Sequence, residues 1–318
     1  MMQAPGRTHE FRERGFVLVK RLLGPEMVER LVQQLEQLSG ITRASFGGSR
    51  IGDRLLRRGL YKGWTMPDGV SRTRSFWDLV FLPELLDVVR DVLSAEPRFL
   101  QHTDLQVGFS AVTWHRDSVT RRLGWTGDWD ETREPYRLVR VGFYLQSHAE
   151  SRFALGLVPG SHRHGALLEE AGLARLERQT APWRQAVALA SGRSPVARAA
   201  EWVPAERGDA IVFDPRIVHS GSPIRGPKYS AFVGFGIPNL HFARHLHYYR
   251  HTRRELGYRA LDAELVQRLE QAGLWADAPS IPPFEDNDTG YRPGRIQRFL
   301  GRAVRPRLAG GASAHRAA

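Results

Sequence analysis

The residues best placed to do chemistry in this 318-residue chain are His115 and Asp117, in the stretch Thr113-Trp114-His115-Arg116-Asp117-Ser118. Alternate residues of an extended strand point to the same face. One short strand can therefore aim an imidazole nitrogen and a carboxylate oxygen at a common point. These are two of the three donors of a 2-His-1-carboxylate set, which holds Fe(II) from one side and leaves the other positions open. A third donor stands far along the chain at His219, in the stretch Gly208-Asp209-Ala210-Ile211-Val212-Phe213-Asp214-Pro215-Arg216-Ile217-Val218-His219-Ser220-Gly221. With 12 histidines in the chain, a His-x-Asp pair also arises as a solvated or hydrogen-bonded pair, and the motif by itself leaves both readings open. The chain has no cysteine, which removes disulfides, thiolate zinc sites and cysteine nucleophiles. Any metal must be held by His, Asp and Glu.

Three strands or more are needed to carry such a site, and the composition allows them. Hydrophobic residues make up 42% and charged residues 25%, ordinary values for a folded chain large enough to bury a sizeable core. No apolar run reaches the roughly 18 residues of a membrane span. The opening MMQAPGRTHEFRERG lacks the apolar segment of a secretory signal, so the expected location is cytoplasmic. The net charge of +12 is unevenly placed, with seven arginines and no acidic residue from Tyr291 onward. Gly310-Gly311-Ala312-Ser313-Ala314 within that tail favours a loosely held basic end over a nucleic-acid contact. A basic surface also suits a small-molecule substrate that is anionic or carrier-linked. No sequence pattern speaks to the oligomeric state.

Taken in order, Phe11 to Val19 reads as a lead-in and a buried strand. Gly24-Pro25 opens a helix whose Val28, Leu31, Val32, Leu35 and Leu38 share one face, and Ser39-Gly40 closes it. Residues 41–72 read as loop with short pieces, and Phe81 to Leu93 as a second amphipathic helix. From Phe99 the period changes to two. Strands are expected at Phe99–Val107, Val112–Asp117, Tyr136–Gln146, Phe153–Val158, Glu201–Val203, Ala210–Phe213, Ile217–Ser220 and Tyr229–Ile237. Residues 118–136, with Trp125 and Trp129, form an excursion that would overhang the metal, and 166–200 form a mostly helical insertion. A helix from Arg253 to Ala272 closes the chain. The fold class is mostly β with flanking α: one barrel or jelly roll with helical buttresses, spanning residues 1–290, followed by a basic tail over 291–318 with little order.

Four motifs in this order resemble the phytanoyl-CoA dioxygenase family of Fe(II)/2-oxoglutarate oxygenases. They are Gly15-Phe16-Val17-Leu18-Val19, Trp114-His115-Arg116-Asp117, Leu157-Val158-Pro159-Gly160-Ser161-His162, and Gly208-Asp209 with Val218-His219-Ser220-Gly221. The resemblance runs from about Phe11 to Gly236. It implies a double-stranded β-helix (a cupin-like jelly roll), with His115, Asp117 and His219 as iron ligands and catalytic centre. It also implies 2-oxoglutarate and O2 as co-substrates, and hydroxylation of an unactivated C–H coupled to release of succinate and CO2. Asp117 fills the position that a small residue takes in related halogenases, so halogenation is not expected. A non-catalytic barrel that binds a ligand on the same scaffold is the alternative, and an intact triad argues against it.

The family anchors the far carboxylate of 2-oxoglutarate with an arginine on the strand after the distal histidine, and here the chain departs from that pattern. Lys228 and Ser230 stand nine and eleven residues after His219, with lysine in the arginine's role. Arg225, in the preceding loop, could reach in instead. Gln101, Thr103 and Gln106, on the strand before His115, are further candidates for 2-oxoglutarate contacts. His162 reads as a structural residue of its turn. His241, His245, His247 and His251 form a second histidine cluster without a carboxylate, read as a polar surface or subunit contact. The substrate itself is not legible.

Overall fold

The computed structural model describes residues 6–57, 63–119, 127–163, 191 and 195–277. Among them nine strands form two antiparallel sheets flanked by helices. Residue alternation explains the larger sheet. Along β4 (Leu138–Tyr144), Val139, Val141 and Phe143 point one way, and Arg140, Gly142 and Tyr144 the other. β9 (Tyr229–Gly236) repeats the scheme, with Ser230, Phe232 and Gly234 paired to Tyr144, Gly142 and Arg140. On its other edge β9 meets β3 (Arg98–Val107), where Gln106 faces Ser230 and Asp104 faces Phe232. β7 (Ala210–Phe213) and β1 (Phe16–Val19) continue beyond β4, and β2 (Trp64–Pro67) pairs outside β3. The order is β1-β7-β4-β9-β3-β2.

One face of this sheet is a hydrophobic wall. Val139, Val141, Phe143, Val233 and Phe235 belong to one buried cluster with Val28, Leu31, Val32 and Leu35 of the Pro25–Ser39 helix and Leu85, Val88, Val89 and Val92 of the Pro83–Leu93 helix. Both helices begin with proline, whose fixed φ suits the first turn. The first ends at Gly40, in the left-handed region at φ 69°. The opposite face carries the polar row Arg140, Tyr144, Ser230, Asp104 and Gln106.

The smaller sheet runs β6-β5-β8, formed by Glu201–Pro204, Ala154–Leu157 and His219–Gly221. Hydrogen-bonded pairing does not run from one sheet into the other among the described residues. Val112–Asp117, expected as a strand, is a single bridge instead. His115 and His219 exchange backbone hydrogen bonds of 3.0 and 2.9 Å, and Ala111 accepts from the N–H of Gly221. Beyond His115 the chain turns away, because the N–H groups of Asp117 and Ser118 both donate to the Pro215 carbonyl.

Two turns fix this arrangement. In Pro159-Gly160-Ser161-His162 the Ser161 hydroxyl accepts from the N–H of Val218 at 2.8 Å, immediately before His219. His162 is buried against Gly15, where φ is 83° and a Cβ would lie 2.4 Å from its Nδ1. The structural reading of His162 therefore holds, and it accounts for the glycine. In Gly208-Asp209 the carboxylate accepts from the N–H groups of Arg21 and Glu206, tying β1 to the start of β7.

The short pieces expected in 41–72 are, among the described residues, a 3-10 turn at Arg43–Phe46, a helix at Ile51–Arg57, the edge strand β2 and a helical turn at Gly69–Arg72. Elsewhere the expectations need correction. The closing helix is not continuous from Arg253. A helix at Leu240–His247, capped by the Asn239 side chain, runs into a π-helical turn at Tyr248–Thr252. Gly257, at φ 69°, breaks the path before the final helix, Ala263–Gln271. The sequence reading passed over Asn239 as a cap. His241 and His245 are buried rather than on the surface; the first contacts the Glu134 carbonyl and the second the His102 ring, 2.9 Å away. Trp125, most of 166–200 and the whole of 291–318 lie outside the described residues.

Candidate metal centre

His115, Asp117 and His219 each offer one donor atom, and these atoms all lie within 4.8 Å of one another. Asp117 Oδ1 is 3.7 Å from His115 Nε2, and Oδ2 is 3.6 Å from His219 Nε2. Those separations are too long for hydrogen bonds. They suit atoms sharing one cation, since two donors each about 2 Å from an ion are at most about 4 Å apart. Each ring is turned by its own backbone: His115 Nδ1 is 2.7 Å from the Thr113 carbonyl, and His219 Nδ1 is 3.0 Å from the Ile217 carbonyl. A carbonyl only accepts, so each Nδ1 carries a proton and Nε2 is the nitrogen left to face the metal position. Two imidazoles and a carboxylate form a donor set that fits a divalent first-row metal. Asp117 and His219 are buried, while His115 keeps some exposure.

Behind the triad the polar row of the large sheet makes a second group. Lys228 is fully buried; its Nζ donates to the Ser230 hydroxyl at 2.8 Å and to Gln106 Oε1 at 3.3 Å, and lies 4.7 Å over the Phe153 ring. Burial pushes its pKa down to about 7. Tyr144 stacks on the same Phe153 ring, and its buried hydroxyl has no hydrogen-bond partner among the described residues. Between Arg140 and Tyr144 sits Gly142, where a Cβ would lie 2.7 Å from the Phe232 ring and 3.3 Å from the Tyr144 hydroxyl. A buried ammonium and a buried hydroxyl that share the Phe153 ring fit an anionic ligand. Gln106, Asp104 and Phe232 retain partial exposure, so solvent reaches this inner face.

Arg225 is exposed on the preceding loop, whereas Lys228 is buried. Gln101 and Thr103 share the opposite face of β3 with Leu105 and Val107. Gln101 donates to Asp68 and to the Arg259 carbonyl, and the Thr103 hydroxyl meets Ser71. They do not join the group, because side chains alternate along the strand and these two fall out of phase with Asp104 and Gln106. The sequence reading overlooked Tyr144, Gly142 and Arg140, although their even spacing in Leu138–Tyr144 puts them on one face.

The excursion over 118–136 is tied down at both ends. Val119 N–H donates to the buried Asp128 carboxylate, and Trp129 lies between Arg116 and Arg216, with guanidinium carbons 4.6 and 5.9 Å from its ring centre. Trp129 thus pins the loop. Residues 120–126 lie outside the described residues.

A sequence profile described as phytanoyl-CoA dioxygenase matches residues 11–231. The chain belongs to the phytanoyl-CoA dioxygenase family. It is accordingly an enzyme of the Fe(II)/2-oxoglutarate-dependent dioxygenase class, and its cofactors are Fe(II), 2-oxoglutarate and O2. Crystal structures also resemble it. AviO1 from Streptomyces viridochromogenes Tue57 is 20% identical, with 73% of this chain and 94% of that one covered at a TM-score of 0.46. HygX from Streptomyces hygroscopicus, with nickel and 2-oxoglutarate bound, is 17% identical over 72% and 85%, at a TM-score of 0.49. EctD from S. alaskensis, with 2-oxoglutarate and 5-hydroxyectoine, is 16% identical over 72% and 74%, at a TM-score of 0.48. No curated protein matches the chain in sequence. Among the described residues of this dioxygenase, no helix is long and apolar enough to cross a membrane.

Proposed function

We propose that this phytanoyl-CoA dioxygenase family member hydroxylates an unactivated C–H of a small-molecule substrate, with His115, Asp117 and His219 as its iron ligands. The observation that carries the reading is the convergence of those three donors, from two distant stretches of chain. The metal, when bound with 2-oxoglutarate and O2, supplies the oxidising power that removes hydrogen from such a carbon, while 2-oxoglutarate leaves as succinate and CO2. The chain's own residues do the positioning. Lys228 and Ser230 receive the far carboxylate of 2-oxoglutarate, and the Tyr144 hydroxyl donates to the same anion. Phe153 packs against Lys228 and Tyr144 and holds both in place for that contact. The carbonyls of Thr113 and Ile217 hold both imidazoles with Nε2 turned to the metal.

The strand order supports a double-stranded β-helix. Counting the His115 bridge as a strand beside β8, the two sheets hold the eight strands of a jelly roll, four in each, with β1 and β2 added at the edges of the larger one. On this reading the helices and both sheets form a single domain over 1–290, and residues 291–318 are a basic appendage.

The test is iron-dependent release of succinate from 2-oxoglutarate by the full chain across a panel of small molecules. Wild-type protein should release succinate, with faster turnover in the presence of its substrate, and His219→Ala should abolish release while keeping the melting profile of the metal-free protein. A wild-type protein that folds and binds a ligand but never releases succinate would make it a binding barrel instead.

A further inference from the structure

Arg140 is a fully buried guanidinium at the heart of the site. Its Nη1 donates to Asp117 Oδ2, and its Nη2 donates to Asp104 Oδ2 on β3, across the intervening strand β9. Its carbon lies 4.8 Å from the centre of the Phe232 ring, which holds the side chain flat against β9. Glycine at position 234, the register partner of Arg140, leaves no side chain in the way.

A guanidinium against a ligand carboxylate has two opposed effects. It locks the carboxylate's rotation, so that the donor oxygen stays aimed at the two Nε2 atoms. It also places a positive charge beside a divalent cation, which weakens binding. Asp104 removes the second effect without disturbing the first. The row Asp104–Arg140–Asp117 carries a net charge of minus one, the same as Asp117 alone, but its geometry is fixed at three points. Side-chain exposure is 17% for Asp104, against 5% for Arg140 and 4% for Asp117, so the outer carboxylate stands toward solvent and the inner pair is dry.

We infer that Asp104 is a positioning and charge-balancing residue for the metal: through Arg140 it keeps Asp117 aimed and the centre negative enough to hold a divalent ion. The inference rests on the metal reading of the triad.

The experiment is a Co(II) titration of the metal-free full chain, followed by visible absorption and by competition with a chelator. Five proteins are compared: wild type, Asp104→Asn, Asp104→Glu, Arg140→Gln and the Asp104→Asn/Arg140→Gln double variant, with His219→Ala as control. Outer supports of metal ligands typically change affinity by about 10–100-fold. Asp104→Asn should therefore weaken Co(II) binding at least about tenfold, and Asp104→Glu should restore it to within about threefold. In the Arg140→Gln background the same Asp104→Asn change should matter less than about twofold, because the path runs through the guanidinium. Unchanged affinity in Asp104→Asn, or an equal loss in both backgrounds, overturns the inference. Thermal unfolding of each metal-free variant reports folding separately, and Asp104→Ser serves if the asparagine variant does not fold. Wild-type protein that binds no Co(II) would remove the metal reading itself. Wild-type binding with no effect at Asp104 removes only this inference.

Discussion

Lys228 shows how much the single residue decides. An ammonium is costly to bury without an anion, and among the described residues the oxygens it meets are neutral, from Ser230 and Gln106. Its pKa of about 7 in the folded chain lies below the ordinary 10.5. Between these values the unfolded chain binds the extra proton, so stability from this group rises with pH from about 7 to about 10.5 and is lowest below 7. Lys228→Met removes that cost, and the metal-free variant should melt higher than wild type at pH 6, with the gain shrinking at pH 9. A gain independent of pH would show that Lys228 keeps its charge throughout. With 2-oxoglutarate the sign reverses, because the dianion needs the ammonium. Lys228→Ala should raise the KM for 2-oxoglutarate at least about tenfold, the scale of one charge-assisted hydrogen bond, and the wild-type KM should climb above neutral pH. The residue types of the triad were legible in the sequence because the three donors sit in recognisable surroundings, Trp114-His115-Arg116-Asp117 and Val218-His219-Ser220-Gly221. The burial of Lys228 and the exposure of Arg225 were not, since only three-dimensional packing sets them.

At the scale of elements, β4 carries the site by alternation. Arg140, Gly142 and Tyr144 share the inner face, and a Cβ at Gly142 would collide with the Phe232 ring. Gly142→Ala should raise the KM for 2-oxoglutarate more than about tenfold while leaving Co(II) affinity near wild type, because its Cβ would meet the Phe232 ring at 2.7 Å and push it toward the Tyr144 hydroxyl. Equal loss of metal and 2-oxoglutarate would mean that the substitution disturbs the sheet instead. The period-two runs made most strands legible, β4 and β9 above all. Val112–Asp117 misled because its apolar and polar residues alternate, while the Pro215 carbonyl draws the N–H groups of Asp117 and Ser118 out of the ladder. Gln101 and Thr103 misled for a related reason. Which face of β3 looks inward depends on its register with β9, and that register shifts between Leu100 and Asp104.

The whole molecule places the triad between its two sheets, with His115 and His219 paired on the smaller sheet's edge and Arg140 holding Asp117 from the larger. A bound ion therefore links both sheets, and metal binding should stabilise the fold. At a free concentration about 100 times its dissociation constant, a ligand adds about 2.7 kcal/mol, or several degrees of melting temperature. Co(II) should raise the melting temperature of wild type and leave His219→Ala unmoved; an equal rise in both would mean that the ion binds elsewhere. The fold class was legible at this scale because four motifs fall in order along one chain. The route of the chain from Asn239 to Gln271 was not, since the burial of His241 and His245 depends on Glu134 and His102, more than a hundred residues away. The account stands or falls on whether this centre holds iron and 2-oxoglutarate together. The direct measurement is anaerobic addition of Fe(II) and then 2-oxoglutarate, watching for the visible charge-transfer absorption of a 2-oxo acid chelated to iron. The account predicts that wild type develops the band, that His219→Ala does not, and that Lys228→Ala needs much more 2-oxoglutarate to reach it. A band of equal strength in His219→Ala would contradict it.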